Sequence, residues 1–410
     1  MPQPEMLESA KGVYLYTESG KKILDVISSW WVNLHGHSHP YIAEAIASQA
    51  KKLEHVIFAG FTHEPAIRLA ERLLEILPDN QSKVFFSDNG STATEVAMKM
   101  AFQYFHNQGM VRKKIIAIEG AYHGDTFGAM SVGDRGPFTA AFDPFLFDVQ
   151  FIDFPSEGKE EQVFEQFKNQ VDSGDVAAFI FEPLVQGASG MKFYSAELLD
   201  RMIAYGQEVG VICIADEVMT GFGRLGTLFA ADQLQHKPDI ICLSKGLTGG
   251  VLPMGVTTCT EKIQEAYRTT DLMKTFFHGH SFTGNPMICA AANASLDLLL
   301  TETCEDNRQR INQRHLAFQE TIKGHSMVRN ARVIGTILAF DLNTEKDTSY
   351  FNEARHHLYP YFIERGLLIR PLGNVIYLIP PYIISNEELD HVYSTIIQFL
   401  NEYESKLKSK

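Results

Sequence analysis

At 410 residues the chain exceeds what one compact core holds, which predicts two domains, or about three. Its 45% hydrophobic and 21% charged residues are the composition of a soluble globular protein, and no run of about 20 apolar residues is present to cross a bilayer. A net charge of −14 leaves no basic excess to replace phosphate counterions, which argues against a nucleic-acid partner.

The opening MPQPEMLESAKG carries an early acid and no apolar core, so it does not read as a secretory leader. Residues 12–27 alternate as a hairpin, with Val13 and Leu15 before the turn Glu18-Ser19-Gly20 and Ile23 and Val26 after it. An aromatic and histidine-rich connection, residues 30–37, follows. The spacing of Ile42, Ala45, Ile46 and Ala50 then predicts a helix to about Leu53, and a second is expected over 64–77, stopped by Pro78. From there short apolar strands alternate with helices. The strands are 84–86, 115–118, 177–181, 211–215, 240–243 and 256–259; helices fill 93–106, 195–208 and 284–300. Strands apolar throughout and separated by helices imply a mostly parallel sheet covered on both faces. Beyond about 305 the order is helix, strand pair (328–342), helix, strand pair (366–380), helix. The expected division is a large domain over 61–305, with 1–60 and 306–410 together forming a smaller α+β domain. Cys213, Cys242, Cys259, Cys289 and Cys304 are odd in number, and most lie in apolar runs. They read as buried reduced thiols of a cytoplasmic protein.

In open α/β sheets ligands bind beyond the carboxyl ends of the strands, so the residues there carry the chemistry. After 84–86 the run Asn89-Gly90-Ser91-Thr92 opens a helix; it suits a phosphate, or simply caps the helix. After 115–118 comes Tyr122-His123-Gly124-Asp125, whose aromatic ring can stack on a flat ligand or pack in a polar turn. Asp216 ends the strand 211–215, where an acid needs a cation: a protonated pyridine nitrogen, or Arg224 in a structural pair. Lys245 follows four apolar residues and precedes Gly246, Gly249 and Gly250. Partial burial makes such an amine an imine-forming nucleophile, the alternative being a lysine that snorkels to the surface. Phosphate cradle, ring stacker, acid and amine are the four attachments that pyridoxal phosphate (PLP) needs.

Residues 214–224, IADEVMTGFGR, followed by Ser244-Lys245-Gly246, resemble the signature of class III (ω-) aminotransferases among fold-type I PLP enzymes. Further stretches resemble the branch of that class acting on 8-amino-7-oxononanoate in biotin synthesis. These are 28–31, 35–37, 89–91, 122–132, 278–285 and 370–378. The resemblance implies a large domain with a mostly parallel, seven-stranded type of sheet and a smaller α+β domain built from both chain ends. It implies that Lys245 bonds PLP and then shuttles the proton, that Asp216 holds the pyridine nitrogen, and that Gly90 and Ser91 hold the phosphate. Tyr122 would pack over the ring and border the substrate pocket beside Trp30. His280 and Ser281 would reach the phosphate of the neighbouring subunit in a homodimer with shared sites, with Gly279 near the substrate. Arg370 would meet the carboxylate of a small-molecule keto acid, with Tyr377 close by. The amino donor implied is S-adenosylmethionine, or lysine as in a subgroup. His35, His37 and His39 match a loop that binds no metal in the family. An aromatic segment that members carry before the hairpin is not found here: either translation begins upstream, or another residue covers that wall of the pocket. The competing expectations are a class III enzyme for ornithine-like or γ-amino acids, an aminomutase, and a PLP-binding module without turnover. The pair Trp30-Trp31 favours a long apolar keto acid.

Overall fold

The apolar runs predicted as strands come together in one seven-stranded sheet in the computed structural model, which describes residues 4–344, 348–349 and 352–408. Across it lie Gln81–Ser87, Gly255–Thr260, Ile240–Leu243, Ile212–Asp216, Val176–Phe181, Lys114–Ile118 and Gln150–Ile152. Neighbours from Ile240–Leu243 to Gln150–Ile152 are all parallel, and Gly255–Thr260 runs against both of its neighbours. The edge strand Gln150–Ile152 has three residues, too short an apolar run to be predicted.

Both faces of this sheet are covered, and the strands show it by alternating between two cores. Ile212 and Ile214 pack with Ala93, Ala97 and Ala101 of the helix Gly90–Asn107. Cys213 and Ala215 face the opposite way, toward Phe167 of the helix Glu160–Val171 and Met202 of the helix Ala196–Glu208. All five cysteines are buried and unbridged. Among the described residues no helix is long and apolar enough to cross a membrane.

The predicted hairpin is present as Tyr14–Thr17 against Lys22–Asp25, extended by Leu7–Lys11. Leu367–Leu368 lies parallel beside Lys22–Asp25, so the two ends of the chain share a sheet. The strand pair expected over 366–380 does not form. Only Leu367 and Leu368 are extended before Pro371, which has no N–H for a ladder. A tight bridge between Leu372 and Val375 then turns the chain, and Val375–Leu378 joins Ile337–Leu342 and Val328–Ile334 instead.

Candidate active site

A cavity of about 400 Å³ opens at the carboxyl ends of the parallel strands, where Gly90, Ser91, Tyr122, Asp216 and Lys245 all line it. The strand-end residues singled out in the sequence are thus brought to one place.

At the start of helix Gly90–Asn107, the side chain of Asn89 accepts the Thr92 N–H (2.9 Å) and Thr92 Oγ1 accepts the Asn89 N–H (3.1 Å). This capping box is the simpler alternative weighed for the motif, and it is real; it uses Asn89 and Thr92. Gly90 and Ser91 remain as first-turn residues whose amides have no intrahelical acceptor. The segment 122–125 presses against this turn: Ser91 Oγ accepts the Asp125 N–H (3.2 Å), and a Cβ on Gly124 would lie 2.1 Å from that Oγ. Gly124 also has φ +131°, so only glycine fits there. Tyr122 is held at both ends, its hydroxyl donating to Asp125 (3.0 Å) and its N–H to Glu182 (3.0 Å). Its ring stays 41% exposed at the cavity, as a stacking face requires.

Asp216 is buried at the end of its strand. One oxygen accepts the Val218 N–H (3.0 Å) and the other meets His123 Nδ1 (2.7 Å). The alternative of an ion pair with Arg224 is not realised. The Arg224 guanidinium is buried elsewhere, donating to the carbonyls of Pro380 (2.9 Å), Asn33 (3.2 Å) and Trp31 (3.4 Å). Lys245 sits in the left-handed region (φ 42°), a conformation costing a non-glycine residue roughly 1–3 kcal/mol and concentrated at functional sites. Its amine lies 5.3 Å from the centre of the Trp31 ring. Burial pulls its pKa down, while Asp216 and Glu182 act in the opposite direction.

Glu182 escaped the sequence reading, which also gave Trp31 and His123 no separate site role. Trp31, rather than Trp30, forms the aromatic wall; its indole N–H donates to the Tyr377 hydroxyl (3.1 Å). His123 supports Asp216. Glu182 follows the strand Val176–Phe181, accepts the N–H groups of Tyr122 and Gly187 (2.9 Å), and has its pKa lifted to about 7 by burial. The strand-end rule applied to that strand as well would have found it.

Other expected residues lie outside this cavity. Trp30 is largely exposed, with the Arg370 guanidinium 4.7 Å from its ring centre. Arg370 has no ion pair among the described residues. Tyr377 is buried behind Trp31. Gly279, His280 and Ser281 stand on an exposed loop and do not line the cavity of their own chain. Among the described residues no group of three or more His, Cys, Asp or Glu is placed to hold a metal.

The family described as aminotransferase class-III matches residues 2–400. The chain belongs to the class-III aminotransferases. An adenosylmethionine-8-amino-7-oxononanoate aminotransferase of Synechococcus elongatus is 49% identical over 409 residues, covering 98% of this chain and 96% of the relative. The crystal structure of the enzyme of that name from Methanocaldococcus jannaschii superposes with a TM-score of 0.91 at 35% identity, covering 97% of this chain and 93% of that one. A PLP-bound amine transaminase from an uncultivated Pseudomonas species gives 0.90 at 29% identity, covering 96% and 94%. PLP is the cofactor of the class, and the residues present suit it. The cavity offers a helix start to an anion, a desolvated amine to an aldehyde, and a buried acid to a ring nitrogen.

Proposed function

We propose that this class-III aminotransferase converts 8-amino-7-oxononanoate to 7,8-diaminononanoate in biotin synthesis, with S-adenosylmethionine as the amino donor. The observation that carries transamination is that Lys245, Asp216 and the helix start at Gly90 line one cavity. Identity of 49% to the Synechococcus elongatus aminotransferase supports the acceptor.

Bound PLP supplies an aldehyde that takes up amines and a protonated ring that accepts the electron pair released at the substrate carbon. Nζ of Lys245 would hold that aldehyde, its burial favouring the neutral amine, and would carry the proton leaving the donor carbon. Asp216, oriented by His123 and the Val218 amide, would keep a proton on the ring nitrogen. The amides of Gly90 and Ser91 would bind the phosphate, and Tyr122 would cover the ring. Trp31 and Met219 provide an apolar wall for the acceptor's long chain. Arg370 takes the acceptor's carboxylate beside Trp30.

The functional unit in this reading is a homodimer, in which Gly279, His280 and Ser281 complete the neighbouring subunit's site. Phe277 and Phe282 in that loop are 70% and 63% exposed, apolar surface that a second subunit would cover. Light scattering under assay conditions is expected to give the dimer mass, and an active monomer would overturn this assignment.

The test of the activity is a donor screen with 8-amino-7-oxononanoate, S-adenosylmethionine against lysine, following cofactor absorbance and product. No product with either donor would overturn the reading. Arg370→Ala is expected to raise the acceptor KM at least about tenfold and leave the cofactor spectrum intact. The guanidinium's contact with Trp30 at this exposed site is worth roughly 0.5–1 kcal/mol, whereas a hydrogen bond to a charged group contributes about 1.5–3 kcal/mol. Unchanged single-turnover rates in both half-reactions would show that Arg370 does not touch the acceptor.

A further inference from the structure

The segment that carries both aromatic residues of the substrate side is built against its own backbone preferences. Ser28, Ser29 and Trp31 have φ of 51°, 59° and 67°, three left-handed non-glycine residues among four. Such a turn persists only where its surroundings fix it. Its direction decides what the site contains. Trp31 is turned inward, 5% exposed and lining the cavity, whereas Trp30 is turned outward, 58% exposed and beneath Arg370.

Asp25, the last residue of the strand Lys22–Asp25, is wholly buried just before this turn and puts both carboxylate oxygens into it. Oδ1 accepts the N–H of Ser29 (2.9 Å) and of Ile27 (3.2 Å). Oδ2 accepts the Ser29 hydroxyl (2.9 Å) and meets Nε2 of His37 (2.9 Å). His37 is fixed in turn by reciprocal backbone hydrogen bonds with Gly12 (2.6 and 3.1 Å), and its Nδ1 lies 3.2 Å from the Asn33 amide. Across the turn, the Ser28 hydroxyl donates to the Ile379 carbonyl (2.7 Å) and Arg224 to the carbonyls of Trp31 and Asn33. Of these anchors, Asp25 grips Ser29, a residue with positive φ (59°, ψ −83°), through both its N–H and its hydroxyl.

We infer that Asp25 is a positioning residue for acceptor selectivity: it holds the left-handed turn that sets Trp31 against the amine of Lys245 and Trp30 against Arg370. Its contribution falls on the acceptor, whose chain lies along Trp31, and spares the cofactor attachments at Gly90, Asp216 and Lys245. The acceptor half of this inference rests on the function proposed above. The positioning half does not.

The chain's two tryptophans are Trp30 and Trp31, so fluorescence excited selectively at tryptophan, beyond the absorption of the 15 tyrosines, reports this turn alone. In the native holoenzyme one emitting component is expected to be quenched by acrylamide and one protected. Asp25→Ala is expected to open the protected component. It is also expected to raise the KM for 8-amino-7-oxononanoate at least about tenfold, because misplacement by about 1 Å is enough for losses of that size or larger. Both kcat and the donor half-reaction should stay within about twofold, a split from KM that general destabilisation does not produce. Asp25→Asn keeps an acceptor for the Ile27 and Ser29 amides and is expected to restore most of the protection. Should Asp25→Ala fail to fold, Ser29→Ala, which deletes only the hydroxyl contact at a half-buried site, is expected to move both readouts the same way by less. A folded Asp25→Ala, or Ser29→Ala in its place, that keeps one tryptophan protected overturns the positioning role. Protection lost with the KM unchanged overturns the selectivity role. If the native enzyme turned over no 8-amino-7-oxononanoate at all, the function proposed above would fail and the quenching result would still decide the positioning.

Discussion

Replacing Lys245 by alanine is expected to abolish turnover and to leave no cofactor covalently attached after borohydride reduction. In the native protein the same treatment should fix PLP to a single peptide containing Lys245, readable by mass spectrometry. Two losses coincide in this variant, the nucleophile that binds the aldehyde and the base that carries the proton. General acid–base catalysis alone contributes about 10²–10⁴-fold, so a fall of at least about 10⁴ in kcat is expected, equivalent to roughly 5 kcal/mol of barrier. Noncovalent PLP binding should survive in part, because the helix start at Gly90 and the acid at Asp216 are untouched. The left-handed backbone at Lys245 makes stability informative as well. Alanine removes a desolvated amine but keeps the strain of φ 42°, so the variant is not expected to gain much in Tm. A reducible cofactor adduct in Lys245→Ala, formed at the native rate on another residue, would move the assignment.

The parallel sheet was legible because its strands are apolar on both faces, and the site because such sheets bind ligands at their carboxyl ends. Asp216 and Lys245 are polar residues that end apolar runs, which is visible in one dimension. Trp31 and His123 were harder for different reasons. Trp30 and Trp31 are adjacent and chemically alike. Which one enters the cavity is decided by positive φ at Ser28, Ser29 and Trp31, which no residue type there announces. His123 acts through Asp216, 93 positions away in the chain, and that contact exists only once two parallel strands are aligned. The split of the 366–380 pair followed from where each strand found a partner: Leu367–Leu368 pairs with Lys22–Asp25, more than 300 residues earlier. Local patterning predicts extension and leaves the partner open.

Asp216→Asn should keep the fold and the cofactor while losing most of the turnover. The fold is expected to survive because an amide can reproduce both contacts of the carboxylate. Its oxygen can accept the Val218 N–H. Its NH₂ can donate to His123 Nδ1, provided His123 carries its proton on Nε2 instead. That nitrogen is buried and has no hydrogen-bond partner among the described residues, so the shift of tautomer breaks no existing contact. An uncharged amide does not keep a proton on the ring nitrogen, and the electron sink is lost with it. The expected result is a kcat lowered by at least about 10², or roughly 3 kcal/mol, at a Tm close to native. The absorbance of the bound cofactor should shift, because its ring nitrogen changes protonation state. Near-native turnover would mean that another acid holds the ring nitrogen. A collapse of Tm together with cofactor binding would mean that Asp216 serves chiefly to hold His123 and the Val218 turn in place. His123→Phe separates these outcomes, since it removes the support and leaves the charge. If the charge is what matters, it is expected to lower kcat far less than Asp216→Asn does.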